Sequence, residues 1–89
     1  MTDVAQKTGT VRVRLFARYA ELAGTDDVTL TVSFPTTVDA IVRQLRAELP
    51  RGREIPERPL AAVNLRHAQS TAPVNPGDEV ALLPPLAGG

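Results

Sequence analysis

The chain contains no cysteine and no tryptophan, one histidine, and only Phe16, Tyr19 and Phe34 as aromatic residues. Without cysteine there is no disulfide, no zinc–thiolate site and no thiol nucleophile. His67 has no second imidazole with which to share a metal, and none is expected to bind. So few rings make no platform for stacking bases. Neither sign of charge is in excess, with Lys plus Arg and Asp plus Glu at 10 each. A nucleic-acid partner calls for a surplus of cations, so none is expected. No apolar run approaches the ~20 residues that cross a bilayer. The opening MTDVAQKTGT has no apolar stretch of the kind a signal peptide needs. A cytoplasmic protein with no membrane contact is the expectation.

What is present suffices for one core. Leu, Ile, Val and Phe supply 24 of the 89 residues, above the ~20% below which chains tend to stay disordered. A domain this small buries only about 60–65% of its unfolded surface, which leaves little room for a deep catalytic cavity.

Residues 1–10 are polar and read as a flexible leader. VRVRLF (11–16) alternates, with Val11, Val13 and Leu15 on one face and Arg12, Arg14 and Phe16 on the other. ARYAELAG (17–24) reads as a short helix closed by Gly24. VTLTVSF (28–34) alternates again and stops at Pro35. Val38, Ile41, Val42, Leu45 and Leu49 then fall at helical spacing. Thr36 and Asp39 stand as a carboxylate version of a capping box, and Pro50 and Gly52 end the helix. The charged, proline-rich stretch 50–59 reads as a surface loop. LAAVNL (60–65) returns to strand character, followed by a polar stretch from Arg66 to Ser70. NPGDE (75–79) is a turn. VALL (80–83) is apolar at consecutive positions, as in a central strand covered on both faces.

Strand, strand, helix, strand, a short strand or turn, and a last strand make an α+β unit. One main helix must cover one face of a mixed sheet of four or five strands. The apolar first and last strands bury best side by side in the centre, which is the β-grasp, or ubiquitin-like, arrangement. Other α+β sandwiches share this element order. The expected division is a leader over 1–10, the β-grasp domain over 11–83 and a projecting tail over 84–89.

Side chains with catalytic potential are few. His67 has no acid near it in sequence and reads as a surface residue at a strand end. The acid pairs Asp26–Asp27 and Asp78–Glu79 sit at strand starts and turns, where carboxylates accept local backbone N–H groups. Arg12, Arg14 and Arg66 are expected on an outward sheet face, where charge discourages edge-to-edge pairing. Phe16 and Leu83 are candidates for exposed apolar contacts on it.

The closing LLPPLAGG is different. Pro84 and Pro85 lack N–H donors, so the last strand cannot extend as a ladder. They favour an extended path at ~3.1 Å per residue, and residues 84–89 span roughly 18–20 Å. Gly88 and Gly89 have no Cβ and suit a narrow channel. The group delivered is the α-carboxylate of Gly89. It is ionised at neutral pH and needs activation, most simply as an acyl-adenylate, before any acyl chemistry.

NPGDEVALLPPLAGG resembles the closing segment of the MoaD/ThiS group of ubiquitin-like sulfur carriers, in its molybdopterin synthase branch. VRVRLFARYAELAGTDDVTL is similar to that family's opening strand, short helix and second strand, TTVDAIVRQLRAELP to its helix, and LAAVN to its third strand. The resemblance implies that an E1-like adenylyltransferase, using ATP and magnesium, adenylates Gly89 and that a thiocarboxylate follows. The tail from Pro84 and Pro85 through Leu86 and Ala87 to Gly88 would thread the partners' active sites. In the synthase large subunit, within a heterotetramer, it would give sulfur to cyclic pyranopterin monophosphate for the molybdenum cofactor. Phe16, Arg66, His67 and Leu83 become candidate docking residues. The chain is then a sulfur-donating subunit, a sulfurtransferase only within its complex, with no cofactor of its own. The alternatives are sulfur delivery for thiamine thiazole or cysteine synthesis, protein conjugation, and an interaction module with an inert tail.

Overall fold

The computed structural model describes residues 7–85. Along them run β1 (Lys7–Leu15), α1 (Arg18–Ala23), β2 (Asp27–Phe34), β3 (Thr36–Thr37) and α2 (Val38–Glu48). A 3₁₀ turn (Gly52–Glu54), β4 (Leu60–Val63), β5 (Arg66–Ala68), β6 (Pro73–Val74) and β7 (Glu79–Leu83) follow. Five strands form one mixed sheet in the order β2-β1-β7-β4-β5, and β3 and β6 form a two-stranded ribbon. The first and last strands lie side by side and parallel, Leu15 opposite Leu82, as their apolar sequences require.

The alternation in β1 and β2 sends Val11, Val13, Leu15, Leu30, Val32 and Phe34 to the α2 side. There they meet Val38, Ile41, Val42 and Leu45, all buried. Among the described residues no polar or charged side chain is buried, so the core is held by apolar burial at ~25 cal/mol per Å². Gly24 closes α1 in the left-handed region, φ 75°, and its N–H reaches the carbonyls of Ala20 and Glu21. Gly77 follows Pro76 at φ 84° in the turn before β7.

Three details depart from the sequence reading. β1 begins at Lys7, four residues before Val11. Its first half lacks apolar alternation because Lys7, Thr8 and Thr10 are exposed; the ladder to β2, from Lys7–Phe34 onward, holds it instead. The cap of α2 is Thr37, whose Oγ1 accepts from the Ala40 N–H at 3.3 Å, while Thr36 pairs with Val74. The stretch 50–59 contains Ile55 at 0% exposure. Arg46 fastens that loop, donating from Nε to the Ile55 carbonyl at 2.7 Å. The polar stretch after Leu65, read as a short strand or turn, is the edge strand β5.

Candidate functional site

β7 is the strand that leads to the tail. It ends at Leu83, and Pro84 and Pro85 lie outside the ladder. Leu86, Ala87, Gly88 and Gly89 lie outside the described residues.

The register defines the surface around that exit. Leu15, Leu82, Ala61 and Ala68 form one row across four strands, and it faces α2. The neighbouring row, Arg14–Ala81–Ala62–His67, therefore faces away, because side chains alternate across a strand. One step nearer the exit, Leu83 stands opposite Leu60, and Phe16 follows Leu15. Phe16 and Leu60 are 40% and 52% exposed. With the small Ala81 and Ala62 between them, they make a shallow apolar floor beside the start of the tail, rimmed by Arg14 and His67. Exposed apolar groups with polar rims mark protein-binding surfaces.

The consecutive apolar residues of β7 were expected to be covered on both faces. The structure buries Val80, Ala81 and Leu82 in succession; Val80 and Leu82 lie in the core on the α2 side, while Ala81, 9% exposed, and the half-buried Leu83 belong to the opposite face. Val80 and Leu82 already fill this strand's core positions, so the apolar residues at the alternate positions fall on the opposite face of the sheet.

Away from the exit the outer face is polar. Arg12 grips Asp27 through Nε at 3.0 and 2.9 Å and Nη2 at 2.6 Å. These hydrogen bonds hold the Asp27 carboxyl below its usual range and raise Arg12. Arg14 reaches Glu79 at 3.3 Å and lies 5.9 Å from the centre of the Phe16 ring, a cation–π distance. It joins the charged half of the face to the apolar half.

Arg66 does not share this face. It stands opposite Val63, in the row that faces α2, at the exposed sheet edge. A period-2 reading could not place it, because the two-residue turn Asn64–Leu65 resets the alternation. Both turn residues are left-handed, φ 50° and 72°. Asn64 is tied down by its Oδ1, which accepts the Glu79 N–H at 3.0 Å, and by its amide on Asp78 Oδ1 at 3.0 Å. Leu65 projects from the tip at 89% exposure. Leu60, Ala62 and Ala81 were missed as face residues, since the strand pattern alone did not say which parity faced the helix.

Catalytic groupings do not form in the described residues. Asp27 belongs to Arg12, Asp78 caps its own turn on the Asn75 N–H, and Glu79 belongs to Arg14. No group of three His, Asp or Glu side chains converges on a metal position among the described residues. An open depression of about 580 Å³ lies along β4 and β5, with Arg58, Leu60, His67 and Ser70 on its walls. His67 and Ser70 there lack a carboxylate to complete a relay. The arrangement can present a surface and lead out a chain end.

Residues 13–89 match the ThiS family. The chain is 38% identical over 81 residues to the molybdopterin synthase sulfur carrier subunit of Escherichia coli K12, covering 89% of this chain and 99% of that protein. It is 33% identical over 79 residues to the subunit of that name from Arabidopsis thaliana, covering 89% and 82%. The crystal structure of SAMP1 from Haloferax volcanii superimposes with a TM-score of 0.78 at 29% identity, over 91% of this chain and 100% of that one. A chain in the complex of subunits 1 and 2 of molybdopterin-converting factor from Helicobacter pylori shares the fold, with TM-score 0.63 at 21% identity, over 90% and 99%. The mixed five-stranded sheet with one main helix is thus a ubiquitin-like β-grasp fold.

Proposed function

The chain belongs to the ThiS family, and on that premise we propose that it is the sulfur carrier subunit of a molybdopterin synthase. The observation that carries this reading is the 38% identity to the Escherichia coli carrier, across nearly that whole protein. The apolar floor on the sheet face away from α2, with Phe16 and Leu60 exposed over the buried Ala62 and Ala81 and the half-buried Leu83, supports it, because it adjoins the strand that leads to the tail.

The carboxylate of Gly89 attacks the α-phosphate of ATP in an E1-like partner that holds magnesium. Pyrophosphate leaves and an acyl-adenylate forms. A sulfur donor then displaces AMP and leaves a thiocarboxylate. The loaded end enters the large subunit and gives its sulfur to cyclic pyranopterin monophosphate. In this scheme the domain body docks and orients; the chemistry occurs in the partners' pockets. Gly88 and Gly89 pass a narrow channel because neither carries a Cβ.

The test is intact mass after incubation with an E1-like enzyme, ATP and a sulfur donor. Replacement of one carboxylate oxygen by sulfur adds about 16 mass units, the signature of activated acyl transfer. Deletion of Gly89 abolishes that gain and leaves the melting temperature unchanged. Absence of both adenylate and thiocarboxylate with every such partner rejects the reading. A second reading, sulfur delivery to thiazole synthesis, is favoured by the family match itself. Co-purification with a thiazole synthase in place of a synthase large subunit decides for it.

A further inference from the structure

The chain is neutral as a whole, with Lys plus Arg and Asp plus Glu at 10 each, but the balance is not local. No aspartate or glutamate occurs from Arg58 to Gly77, a stretch that carries Arg58, Arg66 and His67. Elsewhere most arginines are answered by acids. Arg12, Arg14, Arg18, Arg43, Arg46 and Arg51 each stand in an ion pair. Among the described residues Arg53, Arg58 and Arg66 stand in none. Arg58 and the exposed His67 come together on the walls of the open depression of about 580 Å³ along β4 and β5. The other polar walls are Gln69 and Ser70, and no carboxylate lines the space. Glu57, the nearest acid in sequence, turns instead to Arg46 at 3.7 Å.

The frame of this depression is fixed. Pro59 locks its own φ beside Arg58. The Gln69 carbonyl accepts the Ala72 N–H at 2.9 Å, and the Ser70 carbonyl accepts the Asp39 N–H at 2.8 Å. Guanidinium, imidazole, amide and hydroxyl donors with no acid among them suit a carboxylate. What covers the space follows from its place. Leu60 belongs both to its wall and to the apolar floor, opposite Leu83 at the end of the strand that leads to the tail. From β1 to β5 is three strand spacings, about 14 Å at ~4.8 Å each. A standard interface of ~800 Å² per partner is roughly 30 Å across. A protein that covers Phe16 and Leu60 therefore extends over Arg58 and His67. Neutral surface laid over a guanidinium strips its water without return, so the covering surface must bring an acid.

We propose that the Arg58–His67 depression receives an acidic segment of the synthase large subunit, seated at the sheet edge as that subunit covers the Leu60 end of the floor. The inference rests on the reading of the chain as the carrier subunit. Arg58 supplies the charge, and the imidazole of His67 and the side chains of Gln69 and Ser70 supply further donors to the same carboxylate group. The apolar floor gives the contact its area; the acid-free edge gives it register, since a carboxylate set against the Arg12–Asp27 or Arg14–Glu79 side of the face meets cations that are already paired. Charge placed off-centre in this way fixes orientation and speeds encounter more than it adds affinity.

Calorimetric titration of the carboxylate-form chain with the synthase large subunit from the same cell reads the contact. Arg58→Glu, with unchanged circular dichroism and melting temperature, binds at least about tenfold more weakly at about 0.1 M salt. The deficit falls below about threefold at about 1 M salt, where the screening length has dropped from about 10 Å to about 3 Å. Arg53→Glu makes the same change of net charge beside Arg43 and Arg46 on α2 and stays within about twofold of wild type. Unchanged affinity for Arg58→Glu overturns the proposal. So does an equal loss for Arg53→Glu, which marks net charge alone, or a loss undiminished by salt, which marks lost packing. A salt-sensitive loss found with an E1-like enzyme and absent with the large subunit also overturns it. A wild-type chain that binds no large subunit rejects the proposed function and this inference together; wild-type binding that is indifferent to Arg58→Glu rejects the inference alone.

Discussion

Ile55→Ala tests whether the loop between α2 and β4 is a connector or part of the core. The side chain is at 0% exposure within a stretch whose neighbours are charged or proline. Removing three buried carbons forfeits about 2.4 kcal/mol at ~0.8 kcal/mol each. The cavity left behind raises the loss to about 3–4 kcal/mol, inside the ~2–5 kcal/mol seen for such truncations. The site collapses poorly, because Arg46 pins the Ile55 carbonyl at 2.7 Å. For a chain of this size with a urea m-value of about 1 kcal/mol/M, the midpoint falls by roughly 3 M with m unchanged. Ile55→Val, which removes one methyl, costs about 1 kcal/mol. Equilibrium urea unfolding followed by far-ultraviolet circular dichroism measures both. A midpoint shift under 0.5 M, taken as about 0.5 kcal/mol, would falsify the assignment of Ile55 to the core.

Leu65→Gly relieves a left-handed conformation at φ 72° in a residue that buries almost nothing. A gain of about 1 kcal/mol is expected, read as a rise in melting temperature of ~4–8 °C; a fall would show that Leu65 packs on something in the folded chain. Asp27 has a folded pKa below its unfolded value because Arg12 hydrogen-bonds the ionised form, so its contribution is present above an unfolded pKa of about 3.9 and is lost as pH falls through the lower folded value. Asp27→Asn should therefore melt below wild type at neutral pH, with the gap closing only in acid and shrinking in high salt; a gap constant across pH contradicts the pairing. Leu60→Glu adds a charge to the outer face at a residue 52% exposed and should leave the fold intact. Calorimetric titration with a synthase large subunit should then show binding at least about tenfold weaker, roughly 1.4 kcal/mol; unchanged affinity would remove this face from the interface.

Where burial follows a regular period, the sequence was readable. Val11-Val13-Leu15 and Val38-Ile41-Val42-Leu45 each repeat at the spacing of their element, and both meet in the core. The pairing of first and last strands followed from their apolar content. Ile55 was not readable, since a single apolar residue among arginines, glutamates and prolines has no period to belong to. Arg66 was misplaced because a left-handed two-residue turn is invisible to alternation when its second residue is leucine rather than glycine. Thr36 and Thr37 are chemically equivalent caps, and only the β3–β6 pairing decides between them. Of the apolar patch on the outer sheet face, Phe16 and Leu83 were anticipated. Leu60, Ala62 and Ala81 were not, because their role arises from register across three strands rather than from any local pattern.

The side-by-side placement of β1 and β7 also governs when the domain can exist. Arg12 faces Glu79, so the centre of the sheet closes only after almost the whole chain is available, and such distant pairings form late and slowly. During synthesis β7 follows every other element off the ribosome. Until it inserts, β1 and β4 have an empty slot between them and neither can complete the core. A partner that grips the apolar floor thereby reads the completeness of the chain: Ala81 and Leu83 are in place only in a molecule that has been made through to the strand bearing its tail. Products cut short before β7 lack the floor and the tail together, and offer the partner neither.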